Sequence, residues 1–189
     1  MEDFVNLYVD NSNLFIEAQR IAGRKGEYAK GCRLYFKNFI DLALQGRPVK
    51  EVVWGGSIPP AQDAVWDHLR NKGVEPELIP RSDSGENETV DHIVQLKMHR
   101  HGRKYREEPG TMIVGTGDGK GYDDEDGFLY DLEGFLEEGW KVEVMSWEHS
   151  CHNKLKKFAE EKGKFINLDN YYEQITFISN GRIVQPLHI

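Results

Sequence analysis

The sequence predicts an α/β domain: a parallel sheet covered by helices on both faces, with a small hairpin at the C-terminal end. Three observations predict it. Short apolar runs alternate with stretches of helical spacing, and parallel strands need such crossovers between them. The 189 residues suffice for one core without disulfide support. Asn180-Gly181 lies between Ile175–Phe177 and Ile183–Val184, the pattern of a two-residue hairpin turn. No internal repeat and no linker interrupts the chain. Residues 1–170 therefore read as one domain, and residues 171–189 as an extension packed on it.

The elements follow in order. Val5–Asp10 reads as a buried strand with a polar tip, and Leu14–Ile21 as the helix after it. Leu34–Leu44 carries Leu34, Phe36, Phe39, Ile40 and Leu44 near helical spacing. Val49–Trp54 is the second strand, closed by Gly55-Gly56 and Pro59-Pro60. A helix from about Ala61 to Lys72 stops at Gly73, and Glu77–Ile79 is a short strand before Pro80. A polar loop at Arg81–Asn87 leads to a helix from Glu88 to about Arg100. Met112–Gly115 is a strand, and a Gly- and Asp-rich loop follows to Asp126. Phe128–Glu138 is a helix ended by Gly139, and Val142–Met145 the next strand. Cys151–Glu161 is a helix, and Phe165–Leu168 the last core strand.

Composition narrows the functional classes. Hydrophobic residues make up 39% of the chain, too many for wholesale disorder. No apolar run approaches the ~20 residues that cross a bilayer. The acidic start, Met1-Glu2-Asp3, does not open a signal peptide. Two cysteines form no disulfide framework, so a reducing compartment is expected, the cytoplasm first and the nucleus second. The formal net charge of -8 argues against a general nucleic-acid coat. The acids cluster from Asp118 to Glu138. Basic residues gather at Lys97, Arg100, Arg103, Lys104 and Arg106.

In open α/β sheets the ligand lies beyond the carboxyl ends of the strands. Asp10 ends the first strand and is followed by Asn11-Ser12-Asn13. Asp118 follows the strand Met112–Gly115. Glu88 and Asp91 share one face of a helix, and Asp126 opens another. Acids brought to one edge repel, and a hard divalent cation relieves the repulsion; oxygen ligands select Mg²⁺ or Mn²⁺. The same residues also have plain roles: helix capping for Asp10–Asn13, a dipole-favoured first-turn acid at Glu88, a turn residue at Asp118. The basic stretch Lys97–Arg106 reads as a loop able to hold a phosphate backbone, with Tyr105 able to stack on a base. Arg20, Arg24, Lys25 and Lys30 form a second such track.

In this combination the chain resembles the NYN domain, a branch of the PIN-like nucleases. The resemblance rests on Tyr8-Val9-Asp10-Asn11-Ser12-Asn13, Val90-Asp91 with Leu96-Lys97, and Thr116-Gly117-Asp118-Gly119. It continues in Asp126-Gly127-Phe128, Gly139-Trp140-Lys141-Val142-Glu143-Val144, Ser146-Trp147, Leu155 and Phe165-Ile166-Asn167-Leu168-Asp169. It implies a three-layer, Rossmann-like (PIN-like) parallel sheet and metal-dependent endonucleolytic cleavage of RNA. Asp10, Asp91 and Asp118 match the family's metal-binding acids, and Asn13 its polar position after the first. Lys120 fills the slot where most members carry a further acid, so the fourth acid passes to Asp126, with Glu88 as the alternative. The expected cofactor is Mg²⁺ or Mn²⁺, and the expected partner is single-stranded RNA, with no membrane. Ser12, Asn13, Lys97, Arg100, Arg103 and Lys104 are the expected substrate contacts. The competing expectation is a catalytically impaired RNA- or protein-binding module. The C-terminal hairpin offers a route to a homodimer.

Overall fold

The computed structural model describes residues 3–58, 64–80, 88–119 and 126–189. Strand β1 (Val5–Asp10) is buried along its whole length. Val5, Leu7 and Val9 point into one core; Phe4 and Tyr8 point into the other. A strand buried on both faces reads as a near-continuous apolar run, and this one does from Val5 to Val9, interrupted only by the buried Asn6. On one face of the sheet lie α1 (Asn11–Arg24), α2 (Phe36–Leu44) and α3 (Ala64–Arg70). They pack there through Leu14, Ala18, Phe39, Leu42, Trp66 and Leu69. The opposite face carries α4 (Glu88–Lys104), α5 (Gly127–Glu137) and α6 (Asn153–Lys162). Val94, Met98, Phe128, Leu132, Leu155 and Phe158 fill that side.

The remaining strands of the central sheet are β3 (Val49–Ile58), β4 (Glu77–Pro80), β5 (Thr111–Gly115), β6 (Lys141–Ser146) and β7 (Lys164–Asn167). They lie in the order β4-β3-β1-β5-β6-β7, and every pairing is parallel. In chain order this is 3-2-1-4-5-6, a doubly wound sheet whose winding reverses between β1 and β5. The three-layer Rossmann-like expectation holds.

Several boundaries differ from the sequence reading. Leu34 belongs to a short strand, β2 (Cys32–Leu34), and the helix starts at Phe36. The start expected for the next helix, at Ala61, lies outside the described residues, as do Arg81–Asn87 and Lys120–Glu125. The C-terminal turn forms: Asn180 has φ +60°, and the Ile178 amide donates to the Arg182 carbonyl at 2.8 Å. Its strand, β8 (Thr176–Ile178), nevertheless takes β2 as its antiparallel partner instead of residues 183–184. Residues 172–175 form a single helical turn, α7. Arg182 fixes this end to the body by bonding Glu27 Oε1 at 2.7 Å and the Thr176 carbonyl at 2.8 Å. Its guanidinium holds the Glu27 carboxyl below the usual carboxylate range.

One ion pair ties the segment after α2 to β6. Arg47 bonds both carboxylate oxygens of Glu143, at 2.7 and 2.9 Å, and also caps the Ala43 and Leu44 carbonyls. Glu143 is buried, so removing its partner strands a charge. Arg47→Ala is expected to lower the unfolding free energy by about 3 kcal/mol in a urea titration, and adding Glu143→Gln to recover part of the loss.

Candidate functional site

The site is built where the winding reverses. Asp10 ends β1 and caps α1: its Oδ1 accepts the amides of Ser12 at 3.0 Å and Asn13 at 3.3 Å. Asp is among the best residues for this task, which is why the helix begins at Asn11, three residues before its first apolar position. The cap also places a carboxylate where a Rossmann fold would receive a phosphate. This edge is therefore suited to a cation first. Asp10 is only 4% exposed. Burial raises its carboxyl pKa to about 6; the neighbouring charge of Asp118 adds to the rise, while the bonds from Asn13, Ser12 and Thr116 oppose it.

Asp118 reaches the same place from β5. Thr116, fully buried, donates its hydroxyl to Asp10 Oδ2 at 3.4 Å and accepts the Asp118 amide at 3.1 Å. One hydroxyl thus links the two acids. Asn13 Oδ1 accepts the Gly117 amide at 2.9 Å, so this oxygen clamps the loop that carries Asp118. Ser12 enters through its amide. Gly117 is obligatory here because a Cβ would stand 2.8 Å from Asn13 Oδ1 and 3.1 Å from Ser146 Oγ. The Ser146 hydroxyl is buried without a hydrogen bond, and α6 takes its cap position from His152, so Ser146 does not cap that helix.

Asp91 arrives on α4. Gly55 pairs in register with Asp10. Its missing side chain lets α4 settle on β3: a Cβ there would lie 2.5 Å from Val94 Cγ2 and 2.8 Å from Val90 Cγ1. The first turn of α4 therefore begins over the strand next to Asp10. On the helical wheel Asp91 falls between the sheet-facing Val94 and Gln95, which bonds Asp131 of α5 at 2.8 Å. Asp126 caps α5 by accepting the Gly127 amide at 2.7 Å, which is the first cause of its lowered carboxyl pKa. Its other oxygen lies 3.7 Å from His92 Nε2, beside the same turn of α4. The structure thus brings Asp118 near enough for its charge to act on Asp10, with Asp91 and Asp126 on the same edge. Glu88 opens α4, and its side chain lies outside the described residues, as does Lys120.

Among the described residues no group of three or more His, Cys, Asp and Glu side chains is gathered closely enough to hold a metal ion. The donor chemistry still fits one: Mg²⁺ commonly takes one or two carboxylates and completes its shell with water and substrate oxygens. Buried Asp10, with the half-buried Asp118 carboxylate acting on it, matches that habit.

The basic residues are placed differently from the expectation. Helix α4 runs on to Lys104, so most of the stretch is helical, not a loop. Lys97 pairs with Glu77 and Lys104 with Glu51, each at 2.7 Å. Tyr105 donates to Glu51 at 2.7 Å and packs on Phe4, so its ring serves the fold and is not a free stacking surface. Arg20 and Arg24 both bind the buried Glu17. Arg100 and Arg103 remain exposed on the outer side of α4. Neither Thr116 nor His152 is among the expected site residues: Thr116 stands only within the Thr-Gly-Asp-Gly motif, and His152 within the run His149-Ser150-Cys151-His152, whose spacing lacks the second ligand pair of a zinc site.

No family model matches the chain, and no curated protein does. A crystal structure of a protein of unknown function from Vibrio parahaemolyticus is similar: 19% identity over 89% of this chain and 94% of that one, with a TM-score of 0.62. That likeness extends to the fold.

The raised Asp10 pKa has a definite sign. Its carboxyl moves from 3.8 to about 6 on folding, so the folded state holds its proton more tightly. Stability falls as pH rises through that interval, and the charged form costs about 3 kcal/mol above it. Asp10→Asn keeps a capping oxygen and removes the charge. Its thermal midpoint is expected to exceed the wild type at pH 7.5 and to converge with it at pH 4, measured by calorimetry without divalent ions.

Proposed function

We propose that the protein is a metal-dependent ribonuclease of the NYN, PIN-like kind, hydrolysing RNA phosphodiester bonds internally. The observation that carries this reading is the Asp10–Asp118 pair at the β1–β5 reversal, Asp10 buried and Asp118 half-buried, with Asp91 and Asp126 on the same edge. Asp10 and Asp118 would hold Mg²⁺ or Mn²⁺, with Asp91 and Asp126 (or Glu88) beside them. When bound, the ion supplies Lewis acidity and offsets the negative charge of the phosphodiester. Thr116 holds Asp10 and Asp118 in fixed relation, and Asn13 fixes the loop between them. Arg100 and Arg103, exposed toward the C-terminal end of α4, would meet the backbone of single-stranded RNA only beyond the acidic edge; Lys97 and Lys104 would first have to leave exposed or half-buried ion pairs, which are weak. The two buried free thiols, Cys32 and Cys151, suit a reducing compartment, the cytoplasm or nucleus. Among the described residues no helix is long and apolar enough to cross a membrane.

A second reading is a module that holds RNA or a protein without cutting. It draws on the loose spacing of the acids beyond the first two. Incubation with single-stranded RNA and Mn²⁺, with and without chelator, separates the readings. Chelator-sensitive cleavage that drops by about 100-fold or more in Asp118→Asn is expected. Binding with no such cleavage favours the module.

A further inference from the structure

We propose that His152 is a substrate-contacting residue of this site, donating a hydrogen bond from its imidazole to the phosphodiester held at the Asp10–Asp118 edge. The inference rests on the ribonuclease reading above and adds to it a residue that reaches the site from the β6–α6 loop.

The two glycines that flank Asp118 both meet His152. Its amide donates to the Gly117 carbonyl at 2.9 Å. Its ring lies against Gly119, where an added Cβ would stand 2.7 Å from the His152 Cβ, Cγ and Nδ1. The backbone of His152 is therefore tied to the residue before Asp118 and its imidazole lies against the residue after it, where Gly119 makes the room. His152 also occupies the cap position of α6 yet makes no capping bond through its side chain. Cap positions favour Ser, Thr, Asp and Asn because a short oxygen reaches the free amides of the first turn. An imidazole spared that task, exposed to solvent and with no ring hydrogen bond or ion pair among the described residues, is free to meet a ligand.

The chemistry of the edge supplies the reason for a ligand contact there. Asp10, Asp91, Asp118 and Asp126 repel a phosphodiester from the β1, α4 and α5 sides. Arg100 and Arg103 lie farther along α4. A hydrogen-bond donor is needed on the remaining side, and the β6–α6 loop provides His152. Imidazole presents an N–H to a phosphate oxygen in either of its neutral tautomers and in its charged form. The phosphodiester would then lie between α4 and the β6–α6 loop, spanning the reversal of the sheet.

The test is steady-state cleavage of a fluorescein-labelled single-stranded RNA oligonucleotide with Mn²⁺. His152→Ala is expected to raise KM about tenfold, the worth of a hydrogen bond to a charged group, with kcat little changed. His152→Gln retains a donor and should recover part of the loss. Gly119→Ala should reproduce the loss with His152 intact, because its methyl group displaces the ring. Equal thermal midpoints for the three variants exclude unfolding as the cause. Wild-type KM and kcat in His152→Ala, with RNA still cleaved, would overturn this contact and leave the ribonuclease reading standing. A wild-type protein that neither binds nor cleaves the oligonucleotide removes that reading, and this contact with it.

Discussion

The carboxylate of Asp10 is the constraint around which this edge of the molecule is organised. It is buried at the tip of the central strand, where a charge is costly, and three neighbours restrain it. Two are backbone amides of α1, which the carboxylate caps. The third is the Thr116 hydroxyl, which joins it to the loop after β5. Capping alone would be served by an exposed Asp or Ser. Keeping the group buried beside a second carboxylate raises its pKa and favours a nearby positive charge.

The surrounding elements are shaped to keep that edge small and rigid. Gly55 lets α4 descend beside Asp10, and Gly117 lets the β5 loop pass between Asn13 and Ser146. The α4–α5 contact is held by Asp131, which accepts Gln95 on one oxygen and engages His99 at 2.8 Å on the other. That contact raises the His99 pKa. On the opposite face the terminal segment folds back to complete a two-stranded sheet with β2.

Much of this was legible in the sequence, for identifiable reasons. The run from Val5 to Val9, apolar but for Asn6, announces a doubly buried strand, and Asp10 announces its end. The order of strands and helices suffices for the sheet class, and the rule about carboxyl ends directs attention to Asp10 and Asp118. What escaped depends on partners distant in the chain. Cys32–Leu34 is too short to read as a strand, and its partner is more than 140 residues away. Lys97 and Lys104 look available until Glu77 and Glu51 are brought beside them by the sheet. Tyr105 looks like a stacking ring until Phe4 and Glu51 occupy it. The His-x-Cys-His run around His152 suggests only a metal pattern without a second ligand pair; its relation to Gly117 and Gly119 exists only in three dimensions.

The bond from Thr116 to Asp10 spans 106 residues. The groups it unites come together when β5 aligns alongside β1, so nothing shorter than that pairing can bring the two acids face to face. During synthesis the ribosome has released the whole stretch from Asp10 to Thr116 before this can happen. Whatever reactivity the acid pair confers is withheld from the nascent chain and from any fragment that stops short of Gly115.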